Sequence, residues 1–214
     1  MQAEPAAAGS RTLAVRPPRR PELAVGADAC LPRSGTVLVV VDFINPLDFP
    51  GAEKLAKPAL KAAQATARLK QRMARQGLAA IYANDNYGQW RSEFPDVLAR
   101  CQQRKGASAE IASLLAPGPA DLVLLKPRHS AFFGTPLDLM LTQMHAHTLV
   151  LAGLATDICI QLTAMDANLR GYKLWVPQDC SAAESPKFES DALRYMARVL
   201  DADTRASTRR RLQR

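Results

Sequence analysis

Histidine is scarce in this chain, with three residues in 214. None of His129, His145 and His147 joins a cysteine at zinc-ligand spacing, which argues against a structural metal site. Cysteine is sparse too. Cys30, Cys101, Cys159 and Cys180 form no CxxC pair, so free thiols are expected. No apolar run approaches the roughly 20 residues of a membrane span. The N-terminal stretch has short alanine patches broken by Glu4, Arg11 and Arg16 rather than a continuous apolar segment. No secretory signal is read there, and the cytoplasm is the expected location. A glycine-rich G-x-G-x-x-G turn is also missing. The turn after the first strand-like run reads DFINPLDFPG, which argues against a dinucleotide-binding dehydrogenase.

The net charge of +8 suggests a nucleic-acid or membrane partner. Its distribution argues against both. Residues 1–35 hold five arginines and three acids, and residues 204–214 hold five arginines and no acid. The segment between them is left at +1. The excess sits in segments expected to be solvated, so neither nucleic acid nor membrane is an expected partner.

Residues 1–35 carry five prolines and no periodic pattern, and read as a flexible arm. The folded domain is expected over 36–203, with a basic tail at 204–214. Thr36–Asp42 is a β-branched run suited to a strand buried on both faces. A long helix is predicted over Glu53–Gln76, with its polar positions three or four apart and Gly77 at its end. Strands are predicted at Leu78–Ala83, Asp121–Leu125, Thr148–Ala152 and Tyr172–Val176. Helices are predicted at Ala107–Leu115, Leu137–His145, Thr156–Arg170 and Pro186–Leu200. The stretch 84–105 reads as a polar and aromatic loop, and DADTRAST as a short last strand. The alternation predicts a three-layer α/β/α fold, with a mostly parallel, doubly wound sheet of five or six strands.

Ligands of open α/β sheets bind beyond the carboxyl ends of the strands. Asp42, Asp85, Lys126 and Cys159 all fall there. Cys159 is expected in the first turn of a helix, where free amides and the positive dipole end favour a thiolate. Asp42 can take its proton, Lys126 can steady the carboxylate, and the helix N-terminus can hold an oxyanion. That set fits acyl transfer through a thioester. Each residue also has a plain reading: small core residue, turn former or surface charge. Tyr87, Trp90 and Phe133 (and Phe132) are candidates to line a pocket, Asn86 and Arg91 for polar contacts, and Asp157 for a helix cap.

The blocks VVVDFINPLDFPG, LLKPRHSAFFGTPLDLML and LVLAGLATDICIQLTAMDA, in this order, resemble the signatures of isochorismatase-like cysteine hydrolases. The resemblance covers about residues 36–203. It implies a catalytic triad of Asp42, Lys126 and Cys159. It also implies a cis peptide before Ala155, and an oxyanion hole made by the backbone amides of Ala155 and Cys159. Nicotinamidases of this family hold a metal through an Asp-x-His motif after strand two. Here the stretch reads Asp85-Asn86-Tyr87, so no metal and no cofactor is expected. The cysteine favours a small amide or related C–N substrate, and family members imply a homo-oligomer, dimer or tetramer. The alternative is a catalytically idle member that binds a ligand or protein partner. The complete triad argues against it.

Overall fold

The computed structural model describes residues 31–209. Six strands and six helices follow one another as expected for an α/β chain. They are β1 (Thr36–Val41), α1 (Ala52–Ala74), β2 (Ala79–Asp85), α2 (Phe94–Gln102), α3 (Ala107–Leu114) and β3 (Leu122–Lys126). Then come α4 (Leu137–Gln143), β4 (Thr148–Leu154), α5 (Gln161–Leu169), β5 (Lys173–Trp175), β6 (Ser181–Ala182) and α6 (Pro186–Val199). The strand order is β3-β2-β1-β4-β5, with β6 also paired to β4. Every pairing is parallel.

Period two along β1 sorts its side chains onto the two faces. Leu38 and Val40 join Tyr82, α1 residues such as Leu55 and Leu69, Phe94 of α2 and Ile111 of α3. Val37, Val39 and Val41 join Ile81, Leu141 of α4, Ala164 of α5 and Met196 of α6. Helices therefore cover both faces, which is why β1 is apolar at every position.

Three expectations need correction. The stretch 84–105 is not all loop, because α2 occupies Phe94–Gln102. A capping box between Glu93 and Asp96, with Pro95 in the first turn, starts it. The strand expected in DADTRAST reduces to one bridge between Trp175 and Asp203. The basic tail is docked as far as Arg209. Ser207 is buried and gives its amide and hydroxyl to Asp179, at 2.6 and 2.7 Å. Arg210 to Arg214, and the arm up to Cys30, lie outside the described residues. At the end of that arm Ser34 is buried, with its amide on the Met144 carbonyl and its hydroxyl on that of Thr36. No helix among the described residues is long and apolar enough to cross a membrane.

Candidate active site

Register brings the carboxyl ends of the central strands level. Val41 pairs with Ala83 and with Gly153, and Asp85 pairs with Lys126. Gly153 permits this. A Cβ there would lie 1.9 Å from the Val41 carbonyl oxygen, and its φ is +148°. One residue beyond β1, Asp42 turns with φ 51° and gives its amide to the Ala83 carbonyl at 3.1 Å.

The Asp42 carboxylate is held at both oxygens. Oδ1 accepts the Asp85 amide at 2.8 Å, and Oδ2 lies 2.7 Å from Lys126 Nζ. Lys126 is wholly buried. Its ammonium also reaches the Arg128 carbonyl at 3.2 Å and Cys159 Sγ at 3.8 Å, with Asp85 Oδ2 at 3.9 Å. A buried lysine is sustained by such partners. Burial acts to lower its pKa, but Asp42, Cys159 and Asp85 together raise it, so the ammonium persists.

Cys159 is carried by a single π-helical turn, Thr156–Ile160, between β4 and α5. The one helix that the sequence pattern predicts over Thr156–Arg170 is divided into this turn and α5. The Leu154–Ala155 peptide is cis. The Ala155 carbonyl accepts the amides of Ile158 and Ile160, both at 3.1 Å. Asp157 does not cap a helix: it lies inside the π turn, and its buried Oδ1 has no partner.

The expected thiolate is not what this setting favours. Burial pushes the Cys159 thiol up to about 12, and the Asp42 anion adds to the shift while Lys126 opposes it. Burial also raises the Asp42 carboxyl, against the pull of the Lys126 ion pair and a hydrogen bond from Cys159. The dipole of one turn is a small effect beside desolvation. Burial thus favours the neutral form of the thiol and makes the Asp42 carboxyl more basic than usual. That arrangement suits proton transfer during attack rather than a standing thiolate.

Of the pocket candidates, Tyr87 is half-buried, with its hydroxyl 3.4 Å from the Ile44 carbonyl and its amide on Asp85 Oδ1 at 2.6 Å. Trp90 is 79% exposed and lines a hollow with Gln89, Arg91, Ser92 and Asp96. Neither Asp42, Lys126 nor Cys159 lines that hollow. Phe133 is 61% exposed. Phe132 is a packing residue, buried between Tyr172 and the Arg170 guanidinium. Asn86 is buried, with its amide on the Lys126 carbonyl and its Oδ1 accepting from Gly88. A metal does not fit at Asp85: one oxygen takes the Tyr87 amide and the other faces the Lys126 ammonium. Among the described residues no three His, Cys, Asp or Glu side chains group to hold a metal. The sequence reading missed His129, whose Nδ1 lies 3.7 Å from Cys159 Sγ. No spacing rule marks it, since it approaches the sulfur through a loop.

Residues 36–205 match the family model described as the Isochorismatase domain. The isochorismatase family protein YaaI of Bacillus subtilis is 34% identical over 171 residues, 80% of this chain and 93% of that protein. The ureidoacrylate amidohydrolase RutB of Cronobacter sakazakii is 35% identical over 98 residues, 46% of this chain and only 42% of that protein. Among solved structures, the N-carbamoylsarcosine amidase of Thermoplasma acidophilum superposes with a TM-score of 0.62 at 29% identity. The match covers 83% of this chain and 99% of that one. The nicotinamidase SaPncA of Staphylococcus aureus shares the fold, with a TM-score of 0.63 at 22% identity, over 80% of this chain and 98% of that one.

Proposed function

Because this chain belongs to the isochorismatase family, we propose that it is a cysteine hydrolase that cleaves the C–N bond of a small amide or ureide. Cys159 is the nucleophile, Asp42 its base and Lys126 the cation that keeps Asp42 placed. The observation that carries this reading is the chain of contacts Asp42–Lys126–Cys159, at 2.7 and 3.8 Å, at the carboxyl edge of a parallel sheet. Relatives named as acting on C–N bonds, RutB and N-carbamoylsarcosine amidase, support the reaction class.

The thiol proton passes to Asp42 as sulfur attacks the carbonyl carbon. Lys126 stays charged throughout and lowers the energy of the anionic states beside it. The backbone amides of Ala155 and Cys159 receive the oxyanion. Loss of the amine leaves a thioester, which water then hydrolyses. Tyr87, Trp90 and Phe133 are the substrate-contacting groups of this reading.

The test is ammonia release from a panel of small primary amides and ureides. Cys159→Ala should lower the rate on any amide turned over by 10³-fold or more, on the order seen when a nucleophile is removed. Cys101→Ala should be silent, because Cys101 is buried with α2 and α3 in the other core cluster. Ammonia release that survives Cys159→Ala would sink the reading, as would none from any member of the panel.

A further inference from the structure

His129 stands on the open side of the nucleophile. It is exposed, and its Nδ1 is 3.7 Å from Cys159 Sγ. Lys126, 3.8 Å from the same sulfur, and its partner Asp42 are by contrast buried. The loop that carries His129 is tied at both ends. Before it, the Arg128 carbonyl accepts Lys126 Nζ at 3.2 Å. After it, Ser130 Oγ donates to Asp166 Oδ2 at 2.5 Å, and the Ala131 amide donates to Thr163 Oγ1 at 3.0 Å. The imidazole is thus positioned by its backbone, and among the described residues its one hydrogen-bond contact is the sulfur. An exposed histidine anchored on both sides and touching a nucleophile contributes little to packing. Chemistry is the better account of its place.

Building on the cysteine-hydrolase reading, we propose that His129 is a second proton-transfer group, dedicated to the leaving nitrogen and the incoming water. Asp42 is enclosed and serves the sulfur. The leaving amine must depart toward solvent, and in the tetrahedral intermediate it is two covalent bonds from Sγ. That puts it within reach of a ring that already contacts Sγ, and such contacts tighten when substrate is bound.

The cycle balances. In acylation the thiol proton goes to Asp42 as the S–C bond forms and the carbonyl electron pair moves to oxygen. On collapse the C–N bond breaks, its electron pair stays on nitrogen, and the protonated imidazole supplies the proton that makes a neutral amine. In deacylation the now neutral imidazole takes a proton from water as the hydroxide adds to the thioester carbon. The C–S bond then breaks, and the sulfur recovers its proton from Asp42. Both groups end as they began, and the net consumption is one water.

A group that protonates the leaving atom matters only when that atom leaves poorly. The probes are therefore p-nitrophenyl acetate, whose phenolate departs unaided, and p-nitrotrifluoroacetanilide, whose anilide does not. Wild type, His129→Gln and Cys159→Ala are compared, and matching melting curves confirm the fold. For His129→Gln the initial p-nitrophenolate burst should keep its rate within about 2-fold. Release of p-nitroaniline should fall by about 10²–10⁴-fold, the usual worth of a general acid. Equal losses on both probes, or no loss on either, would overturn the proposal and leave the nucleophile assignment standing. So would a wild type that takes the ester and not the anilide. Hydrolysis that is absent in wild type, or that survives Cys159→Ala, would overturn the hydrolase reading as well.

Discussion

Burial sets the resting state at Cys159 more than the helix end does. The sulfur is largely shielded from water, and the anion that raises its pKa most is Asp42, the base of the proposed mechanism. Two consequences differ in sign. Alkylation of Cys159 by iodoacetamide should be slow near neutral pH and keep rising with pH, because the thiol is pushed up to about 12. Replacing Asp42 by Asn removes the anion that raises the thiol and leaves Lys126, which lowers it. Alkylation at pH 8 should then speed up, by about 10-fold for each unit the thiol falls, while turnover drops for want of a base. Mass spectrometry of the labelled peptide checks this against the hydrolysis rate. A parallel fall in both would mean that Asp42 sustains a standing thiolate. At this scale the sequence was half legible. That Asp42, Lys126 and Cys159 come together at the carboxyl edge of the sheet could be read because strand ends are readable. The protonation state could not, because it depends on how much water the fold excludes. His129 could not, because its contact is made through loop geometry.

Among the elements, the sheet could be read because each buried strand is a β-branched or aliphatic run between turns, as in TVLVVV and TLVLAGL. The strand ends were harder. β2 and β4 each run two residues past their expected limits, through Asp85 and Leu154. Pairing with a neighbour decides where a strand stops, and a single sequence does not display its partners. Helix α2 was hidden by a polar, aromatic lead-in, although its start signals were present at Glu93, Pro95 and Asp96. The π turn at Thr156–Ile160 has the same composition as an α-helical start and carries no sequence signal. Gly153 is the element-scale weak point. With its Cβ position 1.9 Å from the Val41 carbonyl oxygen, Gly153→Ala forces β1 and β4 apart beneath Asp42. Urea unfolding should show a loss of about 3 kcal/mol or more, at the large end for one methyl group. A loss under about 1 kcal/mol would show that the two strands can part locally without cost.

Across the described residues, two apolar layers sandwich one sheet, and residues that composition alone marks as a basic tail close the structure. Arginine content was a poor guide to residues 204–209, because backbone and hydroxyl groups do the docking there. Val176 gives its amide to the Asp203 carbonyl at 2.8 Å, and the Trp175 indole N–H donates to the Arg205 carbonyl at 2.9 Å. The Ser207 carbonyl accepts Arg72 Nη2 of α1 at 2.6 Å. This strap ties β5, the Asp179 turn and α1 together. Ending the chain after Asp203 removes the acceptor of a buried indole and leaves Asp179 without Ser207. Each hydrogen bond lost contributes about 0.5–1.5 kcal/mol, so the urea midpoint of the shortened chain should fall clearly below that of the full one. The reporter is built in. The chain has two tryptophans, one exposed at Trp90 and one buried at Trp175. In a Trp90→Phe background the emission of Trp175 should shift to the red when the strap is removed. An unchanged midpoint together with unchanged emission would mean that the strap rests on the surface and bears none of the stability.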